Sequence, residues 1–528
     1  MMPQRCVRFS AYFVALQLCA VAPPAFGALL SFVETQVDGA SGVEGLAQPS
    51  GVVVSSDGRH VYAASMKDAA VAAFERNASS GRLTFIGTAQ NGQAGVQGLG
   101  GAAALALSPD GAHLYVAGST DAAVAVFARD ADTGQLSFVE AQTNGANDVI
   151  GLTGTTSLTV SPDGRNVYVT ARTDNALVVF HRDPGTGALT FVEAHVNGVD
   201  GVDWLSGAIA VVVSPDGADV YVAAYDAPTL NRKSVVAMLR RNATTGALSF
   251  TGELVQGLDG IDGLTRPNAL ALPPDGTQVY VASFDEDITV FDRDAATGVL
   301  TFVQNDNVLP GGPKALTVSP DGARLYVTSL RGAPSTDELN VFTRVDDGTV
   351  CGSGGPCVFE TYADGVNAQG VNGASGVAVS PDSQHVYVAG RLDNALAVFA
   401  NTDVTPTPSA TVTVAPRTPT PSATLTPTRV ALPQPTPSPS TSPLSTATPS
   451  PSPPPPPPPT ASPTLAPVAC TGDCGLDGEV TVNELLVMVN IALGSTDVSA
   501  CPAGDSNQDG FVTIDEILKA VNNALAGC

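Results

Sequence analysis

Residues 28–401 are predicted to form an all-β seven-bladed propeller, and residues 469–528 a small α-helical domain. Three observations predict the propeller. A strand–turn–strand element recurs seven times, and its first four copies (Val52, Leu105, Leu158, Val211) are spaced at equal intervals of 53 residues. A strand missing from the last unit stands ahead of the first. Four short antiparallel strands per unit make the blade of such a ring.

The recurring element occupies 52–62, 105–115, 158–168, 211–221, 270–280, 316–326 and 377–387. Its turn is usually Ser-Pro-Asp-Gly, as at Ser108-Pro109-Asp110-Gly111. Pro presets φ, Asp bonds the local backbone and Gly accepts a left-handed conformation, so these aspartates are read as turn-formers. A third strand ends in Val-Phe (Val126-Phe127, Val179-Phe180, Val398-Phe399), and a Thr-Gly turn leads to a fourth such as Leu189-Thr190-Phe191-Val192. The seventh unit stops at Phe399 without its fourth strand, and Leu30-Ser31-Phe32-Val33 precedes the first unit. Adding that strand to the seventh blade completes the ring and removes exposed sheet edges.

Composition narrows the function. The 528-residue chain has 50 acidic and 24 basic residues, a net charge of −26, which argues against nucleic acid as a partner. Arg5 and Arg8, an apolar run from Phe9 to Ala22 and Ala25-Phe26-Gly27 predict a signal peptide over 1–27. The mature chain is therefore expected to be secreted, extracellular or bound at the cell surface, with the periplasm as the alternative, and to have no membrane span. Export brings disulfides. Cys351 and Cys357 are expected to pair, while Cys470, Cys474, Cys501 and Cys528 allow three connectivities.

Ser-Pro-Asp-Gly-x-x-Val-Tyr-Val, the Asp-Asn-Ala-Leu-x-Val-Phe runs at 174–180 and 393–399, and Thr-Gly-x-Leu-Thr-Phe at 186–191 resemble the YVTN-type, lactonase-like propellers. That superfamily includes the bacterial 6-phosphogluconolactonases. The resemblance implies a fold more firmly than an activity. Its gluconolactonase branch carries Gly-Pro-Arg-His where this chain has Gly312-Pro313-Lys314-Ala315, and a Glu where Thr328-Ser329-Leu330 follows Tyr326-Val327. The imidazole and carboxylate of lactone hydrolysis are missing there, so no catalytic residue is assigned. His60, His113 and His385, each three residues past a turn aspartate, are expected to be solvated turn residues, as are His181 and His195. Loops entering the inner strands, with Asn91, Asn144, Asp148, Asp200, Asp203, Asp259 and Asp262, are the expected recognition surface. Trp204, the single Trp, is expected to be a packed loop anchor, with stacking on a sugar or capping of the channel as the alternative.

Residues 402–468 are a Pro/Thr/Ser-rich linker that cannot form a packed core and favours extended polyproline II. Beyond it, 505–516 fits a twelve-residue calcium loop. Asp505, Asn507 and Asp509 supply side-chain oxygens, Phe511 its carbonyl, Thr513 a direct or water-bridged oxygen, and Glu516 a bidentate carboxylate. A degenerate copy offers Asp473, Asp477, Glu479 and Glu484, with Gly475 in place of one ligand. Each loop precedes an apolar-spaced helical stretch. These two loop–helix units resemble a type I dockerin domain. The resemblance implies a cohesin-like partner contacted through Val482, Asn483, Ile514 and Asp515, although the Ser-Thr pair common there is absent. Two functions follow. One is a secreted binding or scaffold protein attached through a calcium-dependent tail, whose propeller ligand is unknown, with carbohydrate as a candidate. The other is a hydrolase acting on a lactone or polysaccharide and recruited by the same tail.

Overall fold

The computed structural model describes residues 28–225, 234–284, 287–307, 311–330, 337–344 and 359–402, and scattered positions between 474 and 523. The chain divides into two units, 1–414 and 415–528.

In the first unit, apolar stretches broken every few residues by Gly-containing turns pair locally, giving seven four-stranded antiparallel sheets. Blade 1 shows the pattern with Pro49–Val54, His60–Ser65, Ala70–Arg76 and Leu83–Gln90, from channel to rim. Blades 2 to 6 follow at 102–143, 155–196, 208–255, 267–307 and 312–363. Blade 7 takes Ala374–Val379, His385–Gly390 and Ala395–Asn401 from the end of the unit and Leu30–Val37 from its start. That closing strand pairs antiparallel with the last, Leu30 opposite Asn401 and Val37 opposite Ala395, as the displaced repeat requires.

The core lies between blades rather than inside one. Tyr115, Val124 and Val126 of blade 2 pack with Val167, Val169 and Val178 of blade 3, and equivalent slabs join the other pairs. Edge-to-face Phe pairs cross the outer hairpins of blades 1, 2, 3, 5 and 7, as Phe127 and Phe138 do at 5.7 Å.

Six of the seven interfaces also carry a buried arginine, and Arg344 at the blade 5–6 joint is half-buried. Arg182, on the third strand of blade 3, donates to Asp110, His113 Nδ1 and the Tyr115 hydroxyl of blade 2, and to the Gly164 carbonyl of its own blade. Arg76, Arg129, Arg241 and Arg293 repeat the arrangement. The turn aspartates do shape their turns: Ser108 Oγ donates to Asp110 at 2.5 Å and Gly111 stands at φ +68°. They also receive these arginines, a second role the turn reading did not include. At the blade 6–7 junction the pair is exchanged, Arg324 of blade 6 meeting Asn401 of blade 7 at 2.6 Å.

This network corrects the reading of three histidines. His60, His113 and His385 are buried, not solvated, because their Nδ1 atoms accept from Arg129, Arg182 and Arg76. Burial, then the neighbouring guanidinium, lowers all three, His385 to about 4. They are neutral acceptors at pH 7. A folded pKa below the unfolded 6.5 means that their contribution is complete above pH 6.5 and is lost as pH falls toward about 4. His385→Asn, which copies Asn166 of blade 3, is expected to flatten that acid-side loss in urea unfolding measured from pH 7 to pH 4. A slope equal to that of the parent would contradict the assignment.

Candidate functional site

The ring leaves a central channel, and its mouth is built by two repeated backbone positions. Each inner strand has a register slip at the same place: between Pro49 and Gly51, between Thr155 and Ser157, and between Pro313 and Ala315, for example. A bulge inserts one extra residue and re-aims its side chain. The bulged residue is Lys314 in blade 6, where the other blades have Ser50, Ala103, Thr156, Ile209, Asn268 and Ser375; all line one cavity of about 620 Å³. The second position closes the second strand. Met66, Ser119, Arg172 and Arg391 line the cavity from there, and Tyr225 and Phe284 hold the same place in blades 4 and 5.

Cations dominate this mouth. Arg172 lies over the Tyr225 ring at 4.7 Å, while Arg266 and Lys314 lie over Phe284 at 4.3 and 5.1 Å. Such contacts orient a cation against the ring face. Burial lowers the Lys314 pKa, and the charges of Arg391, Arg172 and Arg266 lower it further. Four like charges therefore act on one another in a chain of net charge −26. Among the described residues that line the cavity there is no histidine and no carboxylate. Arg266 also keeps a left-handed backbone (φ +55°) where blades 2, 3, 4 and 7 place Gly101, Gly154, Gly207 and Gly373. A non-glycine residue pays roughly 1–2 kcal/mol for that conformation.

The other predicted recognition residues lie elsewhere. Asn91 and Asn144 accept the backbone N–H groups of Leu99 and Leu152, eight residues on, so they brace their loops. Asp148, Asp200 and Asp259 take the left-handed turn conformation in the same loops, and Asp262 accepts from Gln256. None of these, nor Asp203, lines the cavity. Trp204 is 3 % exposed and stacks on Phe250 at 4.9 Å, a packed anchor between blades 3 and 4. His181 is exposed and His195 pairs with Glu193 at 3.0 Å. Sequence reading missed Arg172, Arg266 and Arg391. Aligning the seven repeats column by column would have exposed them, since each occupies a position that is apolar, Gly or Ser in most other blades.

A model of the family described as "Lactonase, 7-bladed beta-propeller" matches residues 24–150, 52–206, 105–253 and 229–350. These overlapping matches run across more than half of the 528-residue chain. The chain belongs to this family. No curated protein matches it. Among solved structures, this lactonase propeller resembles Kuenenia stuttgartiensis hydrazine synthase (20 % identity, 70 % of this chain and 99 % of that one, TM-score 0.50). It also resembles the Pseudomonas aeruginosa periplasmic gluconolactonase (24 %, 59 % and 85 %, 0.46) and a candidate 6-phosphogluconolactonase of Bacteroides uniformis (18 %, 64 % and 89 %, 0.49). At these identities the likeness concerns the fold alone. Within the lactonase propeller, Lys314 and Ala315 occupy consecutive channel positions, so the departure from Arg-His noted in the sequence falls at the cavity wall.

Of the ten proposed calcium ligands, Glu484 is described, at a helical position. Asp473, Asp477, Glu479, Asp505, Asn507, Asp509, Phe511, Thr513 and Glu516 lie outside the described residues, as do Cys351 and Cys357. The second unit does decide one cysteine pairing left open by the sequence, Cys474 with Cys501. Met488, Ile491, Cys501, Val512 and Ala520 form a small buried cluster beside it.

Proposed function

We propose that this lactonase propeller is an exported anion-recognition module, with the central channel as its binding site. One observation carries the reading: Arg172, Lys314 and Arg391 line one mouth of the channel of a strongly acidic protein, and Arg266 shares the Phe284 ring with Lys314. Like charges held together at a half-buried site cost stability, and a bound anion relieves that cost. A carboxylate or phosphate presents the acceptors that guanidinium and ammonium groups match. The hydrolase reading draws support from family membership. The described cavity wall supplies charge stabilisation for an oxyanion, and Lys314, with its pKa lowered, is the side chain there that could exchange a proton; no histidine or carboxylate among the described lining residues joins it.

Calorimetric titration with inorganic phosphate and with gluconate is the test. Lys314→Met is expected to weaken binding at least about tenfold, and Arg59→Ala, far from the mouth, to leave it unchanged. Because burial and the neighbouring cations lower the lysine pKa, binding is expected to be lost as pH rises, before the ordinary value of 10.5 is reached. Lys314→Arg is expected to remove that alkaline loss. Equal affinity in parent and Lys314→Met would dismiss the site.

We further propose that residues 469–528 bind calcium through the two loops and attach the propeller to an extracellular assembly, with a cohesin-like protein as partner. The oxygen-donor spacing of 505–516 supports calcium, and the Cys474–Cys501 disulfide supports an oxidising compartment. Glu516→Gln in the full chain is expected to weaken calcium binding by an order of magnitude or more, read by titration. A retained affinity would refute the loop assignment.

A further inference from the structure

We infer that the channel takes an amphipathic anion, a charged head on a short apolar body, in preference to a polyhydroxylated sugar acid. The inference rests on the anion reading above and concerns what the rest of the cavity does with the ligand's remaining atoms.

The wall below the cations is nearly featureless. Gly51, Ala104, Ser157, Ala210, Ala269 and Ala315 hold equivalent places on six inner strands, and only Ser157 offers a polar side chain. Met66, Ala103 and Ile209 add apolar surface nearer the mouth. The uncharged polar side chains of the bulge ring each donate to a neighbouring blade. Ser50 donates to the Ala102 carbonyl at 2.6 Å, Thr156 to Ala208 at 3.2 Å, Asn268 to Pro313 at 3.0 Å and Ser375 to Pro49 at 2.7 Å.

Aromatic platforms are committed as well. Sugar rings are commonly held by stacking on an aromatic face, yet Tyr225 already carries Arg172, and Phe284 carries Arg266 and Lys314. Trp204 is buried in an interface between blades. A sugar acid would bring several hydroxyls against this wall, where Thr155 and Ser157 are among the few described side chains able to pair with them, so most lose their water without a matched partner. A methylene chain loses nothing there and gains burial. A cavity of about 620 Å³ has room for such a body beneath a head held by the cations.

The test compares butanoate, hexanoate, octanoate and gluconate by calorimetry on the purified full chain, with Lys314→Met and Ala315→Asp variants checked for folding by circular dichroism. Hexanoate is expected to bind at least tenfold tighter than gluconate. Affinity should rise about fourfold per methylene along the series. Both effects should be lost in Lys314→Met, and also in Ala315→Asp, which sets a carboxylate beside the ammonium. Gluconate binding as tightly as hexanoate, and depending on Lys314, would overturn the amphipathic inference and leave the anion site standing. Lys314-independent binding of every probe, or none, would overturn both.

Discussion

A chain lacking residues 28–37 is expected to lose cooperative unfolding of the propeller and to aggregate. Seven backbone pairings hold Leu30–Val37 to the last strand of blade 7, and Leu29 and Leu30 are buried against that blade. Phe32 packs edge-to-face on Phe399 at 5.8 Å. Glu34 accepts the Leu83 N–H of blade 1 at 2.7 Å, as Glu140 accepts that of Leu189 between blades 2 and 3. Removing the strand therefore opens the ring at one joint and leaves the last strand as an unpaired edge, which invites pairing between chains. A permuted chain with residues 28–37 placed after Asn401 separates the loss of the strand from the loss of the terminus. It is expected to recover the parent's denaturant midpoint, because the four-stranded blade is then contiguous. A monomeric, cooperatively unfolding truncation would show that closure contributes little.

Arg182→Met is expected to destabilise the propeller by about 2–4 kcal/mol, the cost of leaving two buried acceptors without their donor. The side chain is almost wholly buried, and the Asp110 it pairs with at 2.8 Å is partly exposed. The exposed carboxylate can rehydrate, so the loss comes chiefly from His113 and the Tyr115 hydroxyl, which stay buried when their donor is removed. Arg59→Ala is the contrast. Its ion pair with Asp132 is 52 % and 91 % exposed on the two sides, and such pairs are worth about 0–1 kcal/mol. Urea unfolding with an unchanged slope gives both values on one scale. Equal losses at the two positions would mean that the buried arginines do not hold the blades together.

The repeat carried the fold. Ser-Pro-Asp-Gly turns, Val-Phe strands and the displaced Leu30-Ser31-Phe32-Val33 strand are local signals, and local signals suffice when each blade pairs with itself. The buried arginines were also visible, two residues after Phe in Val-Phe-Ala-Arg at 126–129 and Val-Phe-His-Arg at 179–182, but nothing along the chain shows what they touch. Arg182 reaches Asp110, 72 residues away, only because adjacent blades press turn against strand. The same holds for the histidines. A His beside a polar turn looks solvated in sequence, and the neighbouring blade is what buries it.

By itself, then, the sequence determined the number of blades, their strand order and the closing strand, all properties of spacing within a short stretch of chain. Only the tertiary structure decided the candidate site. Arg172, Arg266, Lys314 and Arg391 come from blades 3, 5, 6 and 7, and no local pattern links them. They come near one another because ring closure turns the bulges and second-strand ends of distant blades toward one axis, so that Arg172, Lys314 and Arg391 line one mouth with Arg266 beside Lys314.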